Sequence, residues 1–211
     1  MTSPFGRLRP EKTLVNATLA EKIDRVSDPD RERWDQRYRE RGGATTEPSS
    51  FLTSLEATLP ASGRALDFGG GSGRHGIWLG RRGLDVTIAD ISEVGLGLAR
   101  EAAAVAGVAV VTVQVDLENT VPAGPWVLIV DFHFLVRRQI PALCGALIPG
   151  GLLVFCHPTV ANLERHEHPS RRFLLEEGEL PDLIDGLDIV SYQEDWSDEG
   201  RHEARLVARR K

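Results

Sequence analysis

Between residues 64 and 157, short apolar runs alternate with segments that carry helix-start and helix-stop residues. The runs are RALDF (64–68), LDVTIAD (84–90), VAVVTVQVD (108–116), PWVLIVD (125–131) and LLVFCH (152–157). Between them lie RHGIWLGRR (74–82), closed by Gly83, and SEVGLGLAREAAAVAG (92–107), with Ser92 as cap and Gly107 as stop. A third, RRQIPALCGALIPGG (137–151), is expected to stay helical up to its proline and glycines. This alternation restricts the chain to a parallel sheet with helices on both faces, because parallel neighbours need a crossover and the usual crossover is a helix. Two last apolar segments, LDIVSYQEDW (187–196) and HEARLVARR (202–210), flank SDEG and read as an antiparallel hairpin. The expected fold is α/β and doubly wound, mostly parallel, with that hairpin at the C-terminus.

Ahead of the sheet, residues 10–41 read as helical. Val15, Leu19, Ile23 and Val26 make an apolar stripe, and Asp28 and Pro29 supply an N-cap and a first-turn proline. That helix should stop at Gly42-Gly43, and Trp34 and Tyr38, four residues apart, share one of its faces. ATTEPSS (44–50) reads as a loop. The expected division is a helical N-terminal segment or lid over 1–45 and the main domain over 46–211. PTVANLERHEHPSRR (158–172) is a polar span, and FLLEEGELPDLIDG (173–186) reads as helix.

A formal net charge of -6 gives no electrostatic case for nucleic acid. The most apolar stretch, WVLIVDFHFLV (126–136), is too short to span a bilayer and contains an aspartate, so no membrane partner is expected. MTSPFGRLRPEK lacks the apolar core of a signal peptide, which makes a cytoplasmic location the expectation. Cys144 and Cys156 sit in apolar contexts and read as two buried free thiols. HEH (166–168) lacks the companion ligands of a metal centre, so no metal is expected.

The loop after the first strand narrows the reading further. LDFGGGSGRHGIWL (66–79) holds five glycines in fourteen residues. So many side-chain-free positions at the carboxyl end of a strand suit a ligand that must approach the backbone closely. Gly71, Gly73 and Gly76 match the dinucleotide pattern G-x-G-x-x-G, and Asp90 ends the next strand 19 residues after Gly71. On that pattern alone NAD is a candidate ligand. Other features point elsewhere: Asp67, Gly69 and Gly70 precede the match, a further acid, Asp116, ends the third strand, and a helical stretch with paired aromatics precedes the sheet.

Together these features resemble the class I S-adenosylmethionine-dependent methyltransferases, a Rossmann-like family, from about Trp34 to the C-terminus. WDQRY, HPSRRFLLEEGEL and GRHEARLVARRK look like the subgroup related to tellurite-resistance and thiopurine methyltransferases. The resemblance implies S-adenosylmethionine as cofactor. Asp67, Gly69, Gly71 and Gly73 would pass along its methionine part, with Asp67 near the amino group. Asp90, with Ile91 beside it, would take both ribose hydroxyls. Asp116 would accept from the adenine amino group, with Leu117 adjacent. The sequence departs from the pattern at Gly70, where a cysteine is frequent, and in ending its fourth strand with DFHFL rather than Asn/Asp-Pro-Pro-Tyr. The second departure argues against methylation of nucleic-acid bases.

The implied reaction moves a methyl group to a small-molecule acceptor: a thiol, amine, hydroxyl or oxyanion. A hydroxyl or protonated amine would need a general base, and His133, two residues past the fourth strand, is the candidate. Asp131 would bind the methionine amino group or cap the next helix. Trp34 and Tyr38 would either close over the sulfonium or pack in the core. The span from His157 to Arg172 carries His166, His168 and three arginines that suit an anionic acceptor or simply face water. Two other readings stand: an NAD(P)-dependent oxidoreductase, which lacks a Tyr-x-x-x-Lys pair, and an S-adenosylmethionine-binding protein without turnover.

Overall fold

The computed structural model describes residues 28–42 and 47–211. The stripe of Val15, Leu19, Ile23 and Val26 and the stop at Gly43 lie outside the described residues. Helix α1 spans Asp28–Arg41 and a short α2 spans Ser50–Ser54, inside a region read as loop at its start. The remaining elements are β1 (Arg64–Phe68), α3 (Arg74–Arg81), β2 (Asp85–Asp90), α4 (Glu93–Ala106), β3 (Val110–Gln114), β4 (Trp126–Phe132), α5 (Ile140–Ala146), β5 (Leu147–Pro158), α6 (Glu179–Leu183), β6 (Leu187–Trp196) and β7 (His202–Arg210).

The seven strands form one sheet in the order β3-β2-β1-β4-β5-β7-β6. β3 through β5 are parallel; β7 runs antiparallel to both β5 and β6. The strand order reverses between β1 and β4, so their carboxyl ends flank the crevice where ligands of such sheets bind. The central strands are buried on both faces, and their residues alternate between two cores. Leu66, Phe68, Ile129, Leu153 and Phe155 pack with Leu143 and Leu180 on one face. Ala65, Leu128, Val130, Leu152 and Val154 pack with Leu79, Leu96 and Ala99 on the other. Each fully buried large aliphatic or aromatic side chain contributes roughly 1.5–3 kcal/mol. Cys144 and Cys156 are buried free thiols.

Three boundaries differ from the sequence reading. β3 ends at Gln114, so Asp116 lies two residues beyond the strand rather than at its tip. α5 stops at Ala146, because Leu147 already pairs with Trp126; Ile148–Gly151 then form the irregularity before Leu152 pairs with Leu128. Of FLLEEGELPDLIDG only Glu179–Leu183 is helical. Leu174 and Leu175 are fully buried in extended chain, where Leu175 donates to the Pro158 carbonyl and accepts from Val160 N–H.

Candidate functional site

The loop from Gly69 to Gly73 leaves β1 and enters α3. Gly69, Gly71 and Gly73 have φ of 73°, 54° and 83°, a region that side chains make costly. Asp67, at the end of β1, is buried beneath the loop and accepts from Gly76 N–H at 2.8 Å, capping the first turn of α3. Burial, with Asp90 nearby, pushes its carboxyl up to about 7 against the Gly76 hydrogen bond. Asp90 accepts from Gly71 N–H at 2.9 Å through one oxygen and from Ser92 N–H at 2.8 Å through the other. Burial raises this carboxyl too. With the backbone N–H groups of Gly71, Ser92 and Ile91 around it, the carboxylate still has lone-pair capacity for a hydroxyl donor. Ile91 follows directly and its carbonyl accepts from Gln114 Nε2, which ties the end of β3 to the end of β2.

Asp131, near the end of β4, is fully buried, with one carboxylate oxygen that has no hydrogen-bond partner among the described residues. Desolvation drives its carboxyl well above the usual range, and Asp67 adds to the shift. Two acids buried within electrostatic range of each other disfavour their own ionisation.

Asp116 and Leu117 lie in the turn after β3. The Asp116 oxygens accept from Glu118 N–H at 3.0 Å and Asn119 Nδ2 at 2.8 Å, so this acid shapes its own turn; Leu117 is buried in the core. α1 lies over the glycine loop. A Cβ on Gly71 would come within 2.0 Å of Tyr38 Oη, and one on Gly95, in the first turn of α4, within 2.8 Å of the same ring. Trp34 stacks at 6.2 Å from Tyr38 on the same helical face, as their spacing predicts, with Arg37 over its ring at 5.1 Å.

His133 follows β4 with φ of 64°, the one non-glycine residue in that region among the described residues. Its N–H donates to the Cys156 carbonyl, and its Nε2 sits 2.8 Å from Glu203 Oε1. Glu203, on β7, is buried. Burial works to raise its carboxyl, yet the hydrogen bond and charge of His133 hold it below the usual value. Its other oxygen accepts from the Cys156 thiol at 3.5 Å. The three donor atoms lie within 4.8 Å of one another, and the carboxylate already satisfies both neighbours. His166 pairs with the Gly200 carbonyl.

Residues 65–151 match a family of methyltransferase domains. Over that span the sequence is similar to methyltransferase domains. Solved structures share its fold. TehB from Haemophilus influenzae superposes with a TM-score of 0.66 at 19% identity, over 84% of this chain and 67% of that one. An S-adenosylmethionine-dependent methyltransferase from Mesorhizobium loti gives 0.62 at 21% identity, over 77% and 98%. A protein solved in work on the conversion of a disulfide bond into a thioacetal group during echinomycin biosynthesis gives 0.68 at 19% identity, over 86% and 91%. No protein with a curated description matches the sequence.

The residues present fit the cofactor that such domains use. The glycine cradle leaves the backbone bare, Asp90 retains acceptor capacity, and the orphaned Asp131 oxygen suits an ammonium group. Three participants escaped the sequence reading. Asp35, buried in α1, accepts from Ser92 Oγ at 2.6 Å and Val94 N–H at 3.2 Å. Glu203 holds His133 from 70 residues away. Gln114 ends β3. For Asp35 and Glu203 the only sequence signal is an acid on an otherwise core-facing position.

Proposed function

We propose that the protein transfers a methyl group from S-adenosylmethionine to a small-molecule acceptor, with His133 as general base. The observation that carries this reading is the His133–Glu203 pair at the carboxyl end of β4, next to the glycine loop. Glu203 binds Nε2, which favours the tautomer with its proton there and leaves the Nδ1 lone pair to accept a proton. When bound, S-adenosylmethionine supplies a methyl group already activated on sulfur, so the protein has chiefly to align the acceptor and exclude water. Asp67 and Asp131 would hold the amino group, Asp90 the ribose, and Asp116 with Leu117 the adenine. Gly69, Gly71 and Gly73 would line the methionine part, and residues 1–45 would act as a lid through Tyr38 and Trp34 over the domain of residues 46–211. His133 would take the acceptor's proton as the acceptor attacks the methyl carbon, which suits a hydroxyl, thiol or amine.

The test is production of S-adenosylhomocysteine from S-adenosylmethionine with panels of phenols, thiols and amines, repeated with His133→Gln. Turnover that falls at least a hundredfold in the variant for phenols, with cofactor affinity unchanged, supports the base assignment. Turnover equal in both proteins contradicts it, and absence of turnover on every panel favours a binding protein without methyl transfer.

A further inference from the structure

One cavity wall stands out by charge. A cavity of about 520 Å³ opens between α1, the β4–α5 connection and the segment after β5. Four guanidiniums, from Arg33, Arg137, Arg138 and Arg172, face two carboxylates, Asp30 and Glu118, in a chain of net charge -6. The volume is that of a small-molecule site.

These arginines are held, and two of them are held by one edge only. Arg137 donates through Nη2 to Glu179 at 2.7 Å and to the Leu174 carbonyl at 2.8 Å, and through Nε to the other Glu179 oxygen. Arg138 donates through Nε to the Glu118 carbonyl at 2.9 Å and through Nη2 to its carboxylate at 3.2 Å. Neither Nη1 bonds to any described residue. The Arg172 guanidinium lies 4.5 Å from the Phe173 ring centroid and meets no carboxylate among the described residues. Arg33 pairs with Asp30 at 2.9 Å. Oriented guanidinium edges with spare donors suit a planar carboxylate or a phosphate, which they grip through paired hydrogen bonds.

The cavity also adjoins the reacting end of the sheet. Leu135, on its wall, follows His133 by two residues. The buried His157 hydrogen-bonds the Phe173 carbonyl at 2.7 Å and lies within electrostatic reach of both His133 and Arg137.

We propose that this cavity binds the methyl acceptor and that the acceptor carries a carboxylate or phosphate. Arg172 and the free edges of Arg137 and Arg138 take the anionic group, while Leu135, Val136 and Phe173 cover an apolar body. The inference rests on the methyl-transfer reading above, which it deepens by naming the acceptor class.

Calorimetric titration of benzoate, phenyl phosphate and benzamide into the protein, with and without saturating S-adenosylhomocysteine, tests it. At least one anion should bind tenfold or more tightly than benzamide, together with the product. Arg172→Gln and Arg138→Gln should each weaken that anion at least fivefold. Comparison of the two anions separates carboxylate from phosphate recognition. Equal binding of benzamide and both anions, or affinities unchanged in both variants, overturns the proposal. So does mutual exclusion of anion and product, which would assign the cavity to the cofactor. If the anions discriminate but S-adenosylhomocysteine does not bind, the anion site stands and the cofactor reading fails.

Discussion

At the scale of single residues, the site depends on what occupies very little space. Gly71 accepts Tyr38 against its Cα and holds φ of 54°. Gly71→Ala should therefore cost about 1–3 kcal/mol, from overpacking plus backbone strain, measured as a drop in the urea midpoint. The same change in a Tyr38→Phe background should cost less, because the closest atom is gone; equal costs would show that the contact is not made. The buried acids give a pH signature. Folded Asp67 lies at about 7 against roughly 3.9 in an unfolded chain. The fold thus favours its protonated form, so this contribution to stability is complete below about pH 4 and is lost as pH rises through 7. Asp90 and Asp131 shift the same way, whereas Glu179 and Glu203 shift oppositely. A positively charged cofactor offsets the loss, so the Tm gain from S-adenosylmethionine should grow between pH 5 and 8; a constant gain would separate the acids from the cofactor. Sequence made Asp67 and Asp90 visible because they end strands beside glycines. It hid Asp35 and Glu203, whose partners come from distant parts of the chain.

At the scale of elements, α4 is set by its cap. Ser92 accepts from Gly95 N–H at 3.0 Å and donates to Asp35, so one hydroxyl starts the helix and fastens α1 to it. Ser92→Ala removes the cap and strips Asp35 of a donor. It should cost about 2 kcal/mol, a Tm drop of roughly 4–8 °C for a domain of this size, seen by calorimetry; a drop under a degree would mean α1 is not fastened there. Caps and stops made α4 legible from its residues alone, and strong alternation did the same for β6 and β7. The misread elements are those that tertiary pairing decides. Leu174 and Leu175 sit in a helix-compatible string, but Gly178, with φ of 71°, and the pairing to Thr159 keep the chain extended. Leu147 leaves its helix because Trp126 offers a strand partner.

At the scale of the whole molecule, the sheet brings the ends of β1, β2 and β4 together, and α1 spans them. Strand–helix alternation settled that architecture before any side chain was placed, since few topologies accommodate it. The acceptor cavity was less visible, because its arginines come from three segments that only the fold assembles. The central claim is that the bare loop and Asp90 hold an adenosyl cofactor. Calorimetric titration of S-adenosylhomocysteine, NAD and NADP into the wild-type protein and Asp90→Ala tests it most directly. The account predicts saturable binding of S-adenosylhomocysteine alone, weakened at least tenfold in the variant. Binding of NAD or NADP in its place, or product affinity untouched by Asp90→Ala, would contradict it.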